Sequence, residues 1–365
     1  MADRLTGFYA SPELRLATLS MSPVLTARPL FLSLGLLLLI AFWLSLALGP
    51  VSLSFGDTLH AMLRLLGVSF DGGGTAQAEL ILAQIRLPRA LLGISVGAVL
   101  ALSGVAMQGL FRNPLADPGL IGVSSGAALG AAMTIVGSEL IGGISPLLEP
   151  YLLSLSAFIG GLGVTALVYR LGRREGRTDV ATMLLAGIAL TALAGAMIGL
   201  FTYLADDSTL RTLTFWNLGS LNGASYARLW PLLLVAVAIA CWLPRRARAL
   251  NALLLGESEA RHLGFDVERL KRELVFCTAL GVGVAVAAAG MIGFVGLVVP
   301  HLVRLLVGPD HRLLLPASAL AGGSLLLLAD LLARLVLAPA ELPIGIVTAL
   351  LGAPFFLYLL LRGRR

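Results

Sequence analysis

The sequence predicts an all-α integral membrane protein with ten transmembrane helices. Its 365 residues are 58% hydrophobic and only 13% charged, and the mean hydropathy is +0.94. These values exclude an ordinary soluble globular domain. Because a helical span takes about 20 apolar residues, ten spans would use roughly 200 residues and leave no room for a separate soluble domain.

The first 28 residues are polar enough to lie outside the bilayer, and residues 29–365 are expected to form a single transmembrane domain. The first apolar run is too long for the hydrophobic part of a signal peptide and lacks a small-residue cleavage site after it, so it is the first span. The predicted spans are 29–48, 89–110, 119–137, 147–171, 181–204, 227–243, 272–291, 293–307, 313–333 and 344–361.

Arginines are unevenly distributed over the connections between these spans. With the N-terminus inside, the inner connections hold nearly all of them. The outer connections keep few, namely Arg64, Arg86, Arg89, Arg211, Arg228 and Arg334. The positive-inside rule therefore predicts that both termini are cytoplasmic, and it accounts for the net charge of +6 without nucleic-acid binding.

One long charged segment, about 245–273, interrupts the apolar chain on the predicted inner side. Within it, Gly256 and Gly264 bracket the unit GESEARHL, in which acid and hydroxyl come first and base comes later, as in a short capped helix. The residues that define this pattern are Glu257, Ser258, Arg261 and His262.

The same segment is expected to have an apolar side and an internal ion pair. Leu253, Leu254, Ala260 and Leu263 supply the apolar side. Glu257 can pair with Arg261 one helical turn later. A small amphipathic element of this kind lies either on lipid headgroups or in a groove of a soluble partner protein.

Three other connections are predicted to be structured. Residues 111–122 contain two prolines and an Asn-Pro turn signal, which indicate a rigid inner turn. Residues 209–221 are too short and too polar to cross the membrane, so they are expected to lie at the outer surface with Trp216 as an interfacial anchor. Residues 335–346 contain two prolines and form a second, outer elbow.

The residue types argue against an enzyme and against an ion relay. The chain has a single lysine, Lys271, and no GxxxxGK[ST] phosphate loop, and its four histidines form no HExxH or zinc-ligand pattern. Carboxylates within the spans are scarce, whereas proton and sodium relays need them. The exception, Asp330, precedes Arg334 by four residues and can pair with it. These features leave a transporter that does not contain its own ATPase.

Several blocks of sequence carry a family resemblance. They are RLPR at 86–89, GAVLALSGVAMQGLFRNPLADPGLIGVSSGAALG, LLAG at 184–187, LLLGESEARHLG, GMIGFVGLVVPHLVRLLVGPDHRLLLP, and ADLLAR followed by ELPIGIVTALLGAP. In this order, from about residue 80 to the C-terminus, the blocks resemble the permease subunits of ATP-binding-cassette importers for iron chelates, haem and vitamin B12.

The resemblance implies a bacterial inner-membrane protein with ten spans that works as a homodimer. It further implies two cytoplasmic ATPase subunits, which would bind ATP and magnesium, and a periplasmic binding protein. No cofactor or metal is expected on this chain itself. The charged segment at about 245–273 matches the family's coupling segment, which docks on the ATPase. Its candidate contact residues are Glu257, Ser258, Arg261 and His262.

Two further sets of residues match functional positions of the family. Arg86, Arg89 and Arg334 match basic positions that receive acidic residues of the binding protein, and exposed guanidiniums suit that role. The alternatives are interfacial anchoring or, for Arg334, the pair with Asp330. Asn113 and Leu115 match the turn that helps to close the cytoplasmic mouth, although a proline-fixed turn needs no gating role.

The expected function is import of haem or another iron chelate, such as a ferric siderophore, by alternating access. Permeases for vitamin B12 share all the blocks above, so cobalamin is the alternative cargo. An ion-driven secondary transporter is the alternative of a different class. Spans 5 and 10, together with residues 209–221, are expected to line the route.

Overall fold

The computed structural model describes residues 27–51, 53–65, 67–68, 75–140, 145, 148–174 and 176–362. The predicted N-terminal tail, residues 1–28, lies almost entirely outside this part of the chain. The helices are α1 (Ala27–Ala47), α2 (Phe55–Leu65), α3 (Ala76–Ile81), α4 (Leu87–Leu110), α5 (Val123–Leu140), α6 (Glu149–Leu171), α7 (Val180–Leu204), α8 (Asp207–Asn217), α9 (Tyr226–Trp242), α10 (Ala247–Leu255), α11 (Glu257–His262), α12 (Val267–Ala289), α13 (Val295–Val307), α14 (His311–Leu335) and α15 (Ile344–Arg362). A short antiparallel hairpin, β1 (Arg173–Arg174) and β2 (Arg177–Thr178), joins α6 to α7.

The all-α membrane fold is confirmed, and each of the ten predicted spans coincides with a helix. Among the described residues, seven helices are long and apolar enough to cross a membrane. The other three helices at predicted spans, α5, α13 and α15, are shorter. The predicted elbow at 111–122 contains no α-helix, and the one at 335–346 contains only the last residue of α14 and the first three residues of α15.

The second span begins earlier than the sequence indicates. Helix α3 continues into α4 through a π-helical turn, Leu82–Arg86, so that one continuous helical segment runs over Ala76–Leu110. Pro88 has no N–H to donate to the preceding turn, and the π-helical turn is a single turn inserted within the longer helix. As a result, the RLPR block lies within a helix and not at its start.

Helix α4 is the centre of the bundle. It packs against α14, α12, α13 and α9, and 83% of its most apolar window is buried. Small residues let the helix backbones approach one another closely. A Cβ atom on Gly97 would overlap the carbonyl oxygen of Gly322 in α14, and one on Gly126 of α5 would overlap that of Gly160 in α6.

Helix α7, in contrast to α4, is largely exposed. Only 11% of its window is buried, and its buried residues are Met183, Gly187 and Ala194. The predicted surface element after it contains the short helix α8, whose start is capped by the Asp206 carboxylate accepting from the Thr209 N–H at 2.8 Å. This hydrogen bond lowers the pKa of Asp206.

Candidate functional site

The predicted coupling segment contains two short helices that meet at a glycine corner. Helix α10 ends at Gly256, whose φ of 134° is strained for any residue with a side chain, and α11 begins immediately after it. The predicted pair is confirmed, with 3.4 Å between Arg261 Nη2 and Glu257 Oε2. Ser258 does not cap α11, because Gly256 occupies the cap position and makes no side-chain hydrogen bond.

One face of α11 is buried and the other is open. Ala260 is buried, together with Leu253 of α10. Ser258, Arg261 and His262 are exposed, as a docking surface requires. Leu263, which the sequence places on the apolar side of the segment, does not join this buried face. It is 59% exposed, because the chain turns away at Gly264, which has a φ of 85°.

A buried lysine ties this segment to the membrane helices. Lys271 of α12 is 1% exposed. Its Nζ lies 2.8 Å from Glu257 Oε1 and 3.3 Å from Glu268 Oε1, and it donates to the Thr178 carbonyl at 2.8 Å. Arg261 Nη2 completes the group, 3.6 Å from Glu268 Oε1. We call these five residues the Lys271 cluster; they join α11, α12 and β2.

The Lys271 cluster reaches the start of α7 within two residues. Glu268 Oε2 accepts from the Thr178 N–H at 2.8 Å, so both backbone groups of Thr178 are held. The next residue, Asp179, is the N-cap of α7 and accepts from the Ala181 N–H at 3.1 Å. Ion pairs and one short strand therefore connect α11 to the N-terminus of α7.

A second polar contact attaches α10 to α14. The Asn251 amide donates to Asp310 Oδ1 at 2.6 Å and accepts from the His311 N–H at 2.9 Å. Burial raises the pKa of Asp310, but the N–H of Arg312 and the Asn251 amide outweigh it and hold the pKa below its usual range. Sequence reasoning missed Asn251 and Asp310, since 59 residues separate them.

The inner turn between α4 and α5 is rigid. Asn113 Oδ1 accepts from the Leu115 N–H at 2.9 Å, an Asx turn, and Leu115 is exposed. Asp117 then caps the 3-10 turn Pro118–Ile121 by accepting from the Gly119 N–H at 2.7 Å. Burial raises the pKa of Asp117. The proline-fixed turn is confirmed, and a gating role for Asn113 and Leu115 stays a prediction.

The three outer arginines that match family positions, Arg86, Arg89 and Arg334, have hydrogen-bond or ion-pair partners within the chain. Arg89 forms a two-sided bidentate contact: its Nη2 lies 2.9 Å from Asp330 Oδ1 and 3.0 Å from Glu341 Oε2, and its Nη1 lies 3.0 Å from Glu341 Oε1. The predicted pair of Arg334 with Asp330 is confirmed, at 3.1 Å. Glu341, from the outer elbow, was not predicted as a partner.

Arg86 and Arg334 satisfy the carbonyl groups that the end of α1 leaves without helical partners. Arg86 donates to the carbonyls of Leu46 at 2.6 Å and Ala47 at 2.7 Å, and also to that of Val51. Arg334 Nη2 donates to Ser45 Oγ at 3.0 Å. We call the group formed by Arg86, Arg89, Arg334, Asp330 and Glu341 the outer arginine cluster.

The expectation that these arginines present exposed guanidiniums to a partner is wrong. Arg86, Arg89 and Arg334 are 4%, 7% and 3% exposed. The reason is that Arg86 and Arg89 lie three positions apart inside a continuous helix, so they share one face, and that face is turned toward α1 and α14. Their contact with a binding protein stays a prediction.

A cavity of about 680 Å³ lies between the bundle centre and α15. Its lining includes Leu100, Pro118, Val282, Phe294, Leu350 and Ala353. Asn217 and Leu218, at the end of α8, also contribute. Span 10 and the 209–221 segment therefore border this cavity, whereas α7 does not line it. That spans 5 and 10 line the transport route stays a prediction.

Comparisons with known proteins agree with this arrangement. The FecCD transport family matches residues 37–362. The hemin transport system permease protein of Yersinia pestis is 51% identical over 284 residues, covering 77% of this chain and 83% of that protein. The vitamin B12 import system permease protein of Escherichia coli is 44% identical over 334 residues, covering 92% of this chain and 95% of that protein.

A solved structure is similar over nearly the whole chain. It shows, in an inward-facing conformation, a transporter assigned to the metal-chelate ABC type. Its TM-score is 0.79 at 36% sequence identity, and the match covers 92% of this chain and 100% of that chain. This protein is therefore a multi-pass membrane protein, and the chain belongs to the FecCD transport family.

Proposed function

We propose that the chain is the permease subunit of an ATP-binding-cassette importer that moves haem or another iron chelate from periplasm to cytoplasm. The observation that carries the proposal is the coupling segment. It offers an exposed face on α11 and is fastened from behind to α12 and to the start of α7. A chain that has no nucleotide-binding loop needs such an attachment for a separate ATPase.

The proposed mechanism is alternating access driven from outside the chain. ATP binding closes the two ATPase subunits, and each pulls the α11 seated in its groove. Lys271 transmits this movement to Glu268 and Thr178, and hence to α7. Because packed elements switch between discrete arrangements and do not deform continuously, a small shift at α11 suffices to reorient a helix.

Helix α7 is suited to lie at the boundary between two copies of the chain. Its large side chains, including Leu185, Ile188, Leu193 and Leu200, are exposed along its length, and the described part of one chain covers little of it. A homodimer with the route between the copies would bury part of this surface, and lipid would cover the rest.

The cargo follows from the relatives and not from a binding site in the bundle. The 51% identity with a hemin permease favours haem or another iron chelate. The 44% identity with vitamin B12 permeases over 92% of this chain keeps cobalamin as the second candidate. We place the protein in the bacterial inner membrane with both termini cytoplasmic, a periplasmic binding protein outside, and no cofactor on this chain.

Assembly with the ATPase tests the docking proposal. Leu263→Ser and Arg261→Glu change exposed side chains of the coupling segment, so we expect less ATPase to co-purify with either variant than with the wild type. Leu337→Ser is the matched control for Leu263→Ser, because Leu337 is a similarly exposed leucine that lies outside the coupling segment, two residues after the end of α14. Undiminished co-purification with both segment variants would contradict docking at this face.

The cargo is tested by the binding protein of the same system. Equilibrium binding of haem, a ferric siderophore and vitamin B12 should show retention of haem or the siderophore. Retention of vitamin B12 alone would reverse the assignment of cargo without affecting the docking proposal.

A further inference from the structure

An apolar groove of about 630 Å³ lies on the surface formed by α6, α9 and α12. Its walls include Leu155, Phe158, Leu234, Leu280 and Val284. From Ser225 at the start of α9 to Leu234, a helix rises on the order of 13 Å. The groove therefore extends from the outer surface well into the apolar part of the helices, where a soluble protein does not reach.

The outer end of the groove opens into a polar cavity of about 580 Å³. Ser154, Gly223 and Arg228 line both spaces, which makes them continuous. The lining of the polar cavity also includes Arg211 of α8, with hydroxyl and amide groups from Thr212, Ser220 and Asn222. Two guanidiniums thus lie at the mouth of an apolar slot.

Neither guanidinium has a hydrogen-bond or ion-pair partner within the described residues. Asp207 precedes Arg211 by one helical turn but does not pair with it, and Asp206 is engaged by Thr209 and Ser208. The other outer arginines differ in this respect: Arg64 pairs with Glu79, and Arg86, Arg89 and Arg334 each have hydrogen-bond or ion-pair partners. Arg211 and Arg228 are the outer basic side chains that this part of the chain leaves available.

We propose that this site binds one anionic phospholipid, with the phosphate between Arg211 and Arg228 and an acyl chain in the groove. Guanidiniums bind phosphate oxygens in a bidentate manner, and the apolar walls suit hydrocarbon. Exposed Tyr151 of α6 lines the groove, and exposed Trp230 of α9 lies two residues after Arg228; aromatic side chains are enriched at the level of lipid headgroups. The lipid would brace α6, α9 and α12 beside the outer end of α8.

The test measures lipid binding and not transport, so its outcome is independent of the proposed function. The purified chain in detergent is titrated with phosphatidylglycerol or with phosphatidylethanolamine of the same acyl composition, and bound lipid is counted by native mass spectrometry. We expect phosphatidylglycerol to bind roughly 30-fold more tightly, since each arginine near a membrane surface favours an anionic lipid by about 1 kcal/mol.

The variants separate the site from general charge effects. Arg211→Gln with Arg228→Gln should abolish the preference, and the double Arg→Lys variant should retain part of it, because lysine keeps the charge but not the bidentate geometry. Arg64→Gln, an outer arginine with its own acidic partner, should leave the preference unchanged. Equal binding of the two lipids, or a preference that survives the double Gln variant, would overturn the proposal.

Two further outcomes identify other occupants. If inorganic phosphate displaces the lipid completely at millimolar concentration, the site takes a free anion and the lipid proposal fails. It also fails if the double Gln variant loses affinity for the binding protein while its lipid preference persists, because the arginines then form a protein interface.

Discussion

The Lys271 cluster and the outer arginine cluster use the same chemistry for different purposes. In the outer cluster, side chains of α4 and α14 and the elbow before α15 hold one another, and every arginine is nearly inaccessible. In the Lys271 cluster, one buried lysine holds the short helix α11, which has one exposed face and does not span the membrane. We infer that the outer arginine cluster holds α4, α14 and the elbow before α15 in place. The Lys271 cluster instead attaches α11, the helix that the ATPase moves in the proposed mechanism.

The largest expected effect comes from removing Asp330, the central acid of the outer arginine cluster. Asp330→Asn leaves the Arg89 and Arg334 guanidiniums buried with one charge fewer to balance them. Removing one partner of a buried ion pair costs about 3–5 kcal/mol. We therefore expect a large fall in the free energy of unfolding, measured by denaturant titration of the purified protein.

Asp207→Asn is the control for Asp330→Asn. Asp207 is an exposed aspartate in the first turn of α8, and it forms no ion pair within the described residues. An Asp330→Asn protein as stable as the Asp207→Asn protein would show that the outer arginine cluster does not hold α4, α14 and the elbow in place.

Lys271→Met tests whether the inner cluster transmits movement. It leaves Glu257 and Glu268 without their lysine partner, and the loss of hydrogen bonds to charged groups costs about 1.5–3 kcal/mol. We expect a several-fold lower transport per ATP hydrolysed in the reconstituted complex, with the ATPase still bound, because the exposed face of α11 is unaltered.

Two variants control for Lys271→Met. Lys271→Arg keeps a cation at the same place and should restore most of the coupling. Arg272→Gln removes a charge from the adjacent, exposed position of α12 and should have no effect. Normal coupling in Lys271→Met would exclude the route from α11 to α7.

Arg86→Gln tests whether Arg86 stabilises the end of α1 or binds a partner protein. The shorter amide cannot reach all the carbonyls at the end of α1 that Arg86 satisfies, and an unsatisfied buried acceptor costs about 1–3 kcal/mol. We expect lower stability and faster hydrogen exchange near residues 44–51, with affinity for the binding protein unchanged. A lower affinity at unchanged stability would instead restore the docking role that the sequence predicted.

The smallest expected effect concerns the attachment of α10 to α14. Asp310 caps α14 by accepting from the Arg312 N–H at 2.9 Å, and loss of such a cap in Asp310→Ala costs about 0.5–2 kcal/mol. Since the folded-state pKa of Asp310 is lowered, the contribution of its charge is complete above the unfolded pKa of about 4 and is lost as pH falls through the folded value.

Asp310→Ser is the matched variant for that pH dependence. Serine is a comparable cap without a charge, so it should keep the stability of the helix start and lose the acid-dependent part. An acid-unfolding profile of Asp310→Ser identical to that of the wild type would exclude a role for the Asp310 charge.

The spans could be predicted from the sequence because the length and apolar content of a segment identify a membrane-spanning helix. Span 1 and α1 differ by two residues or fewer at each end, as do span 5 and α7. The glycine corner of the coupling segment and the Glu257–Arg261 pair were also predictable, because both depend on residues within one or two helical turns.

Long-range polar contacts were not predictable. The contacts of Lys271 could not be predicted, because its partner Thr178 is 93 residues away. The burial of Arg86 and Arg89 depends on a π turn and on Glu341, 252 residues from Arg89. Charged residues near span ends resemble surface groups until the helices that face them are known.

Uptake by reconstituted vesicles tests the central claim most directly, namely that a separate ATPase moves this permease through the coupling segment. Haem uptake is measured in vesicles that contain the chain alone under an ion gradient, and in vesicles that contain the chain with its ATPase and trapped ATP, with loaded binding protein outside in both. We predict uptake only with the ATPase and ATP, and much less of it in Lys271→Met. Uptake by the chain alone, driven by the ion gradient, would contradict the account.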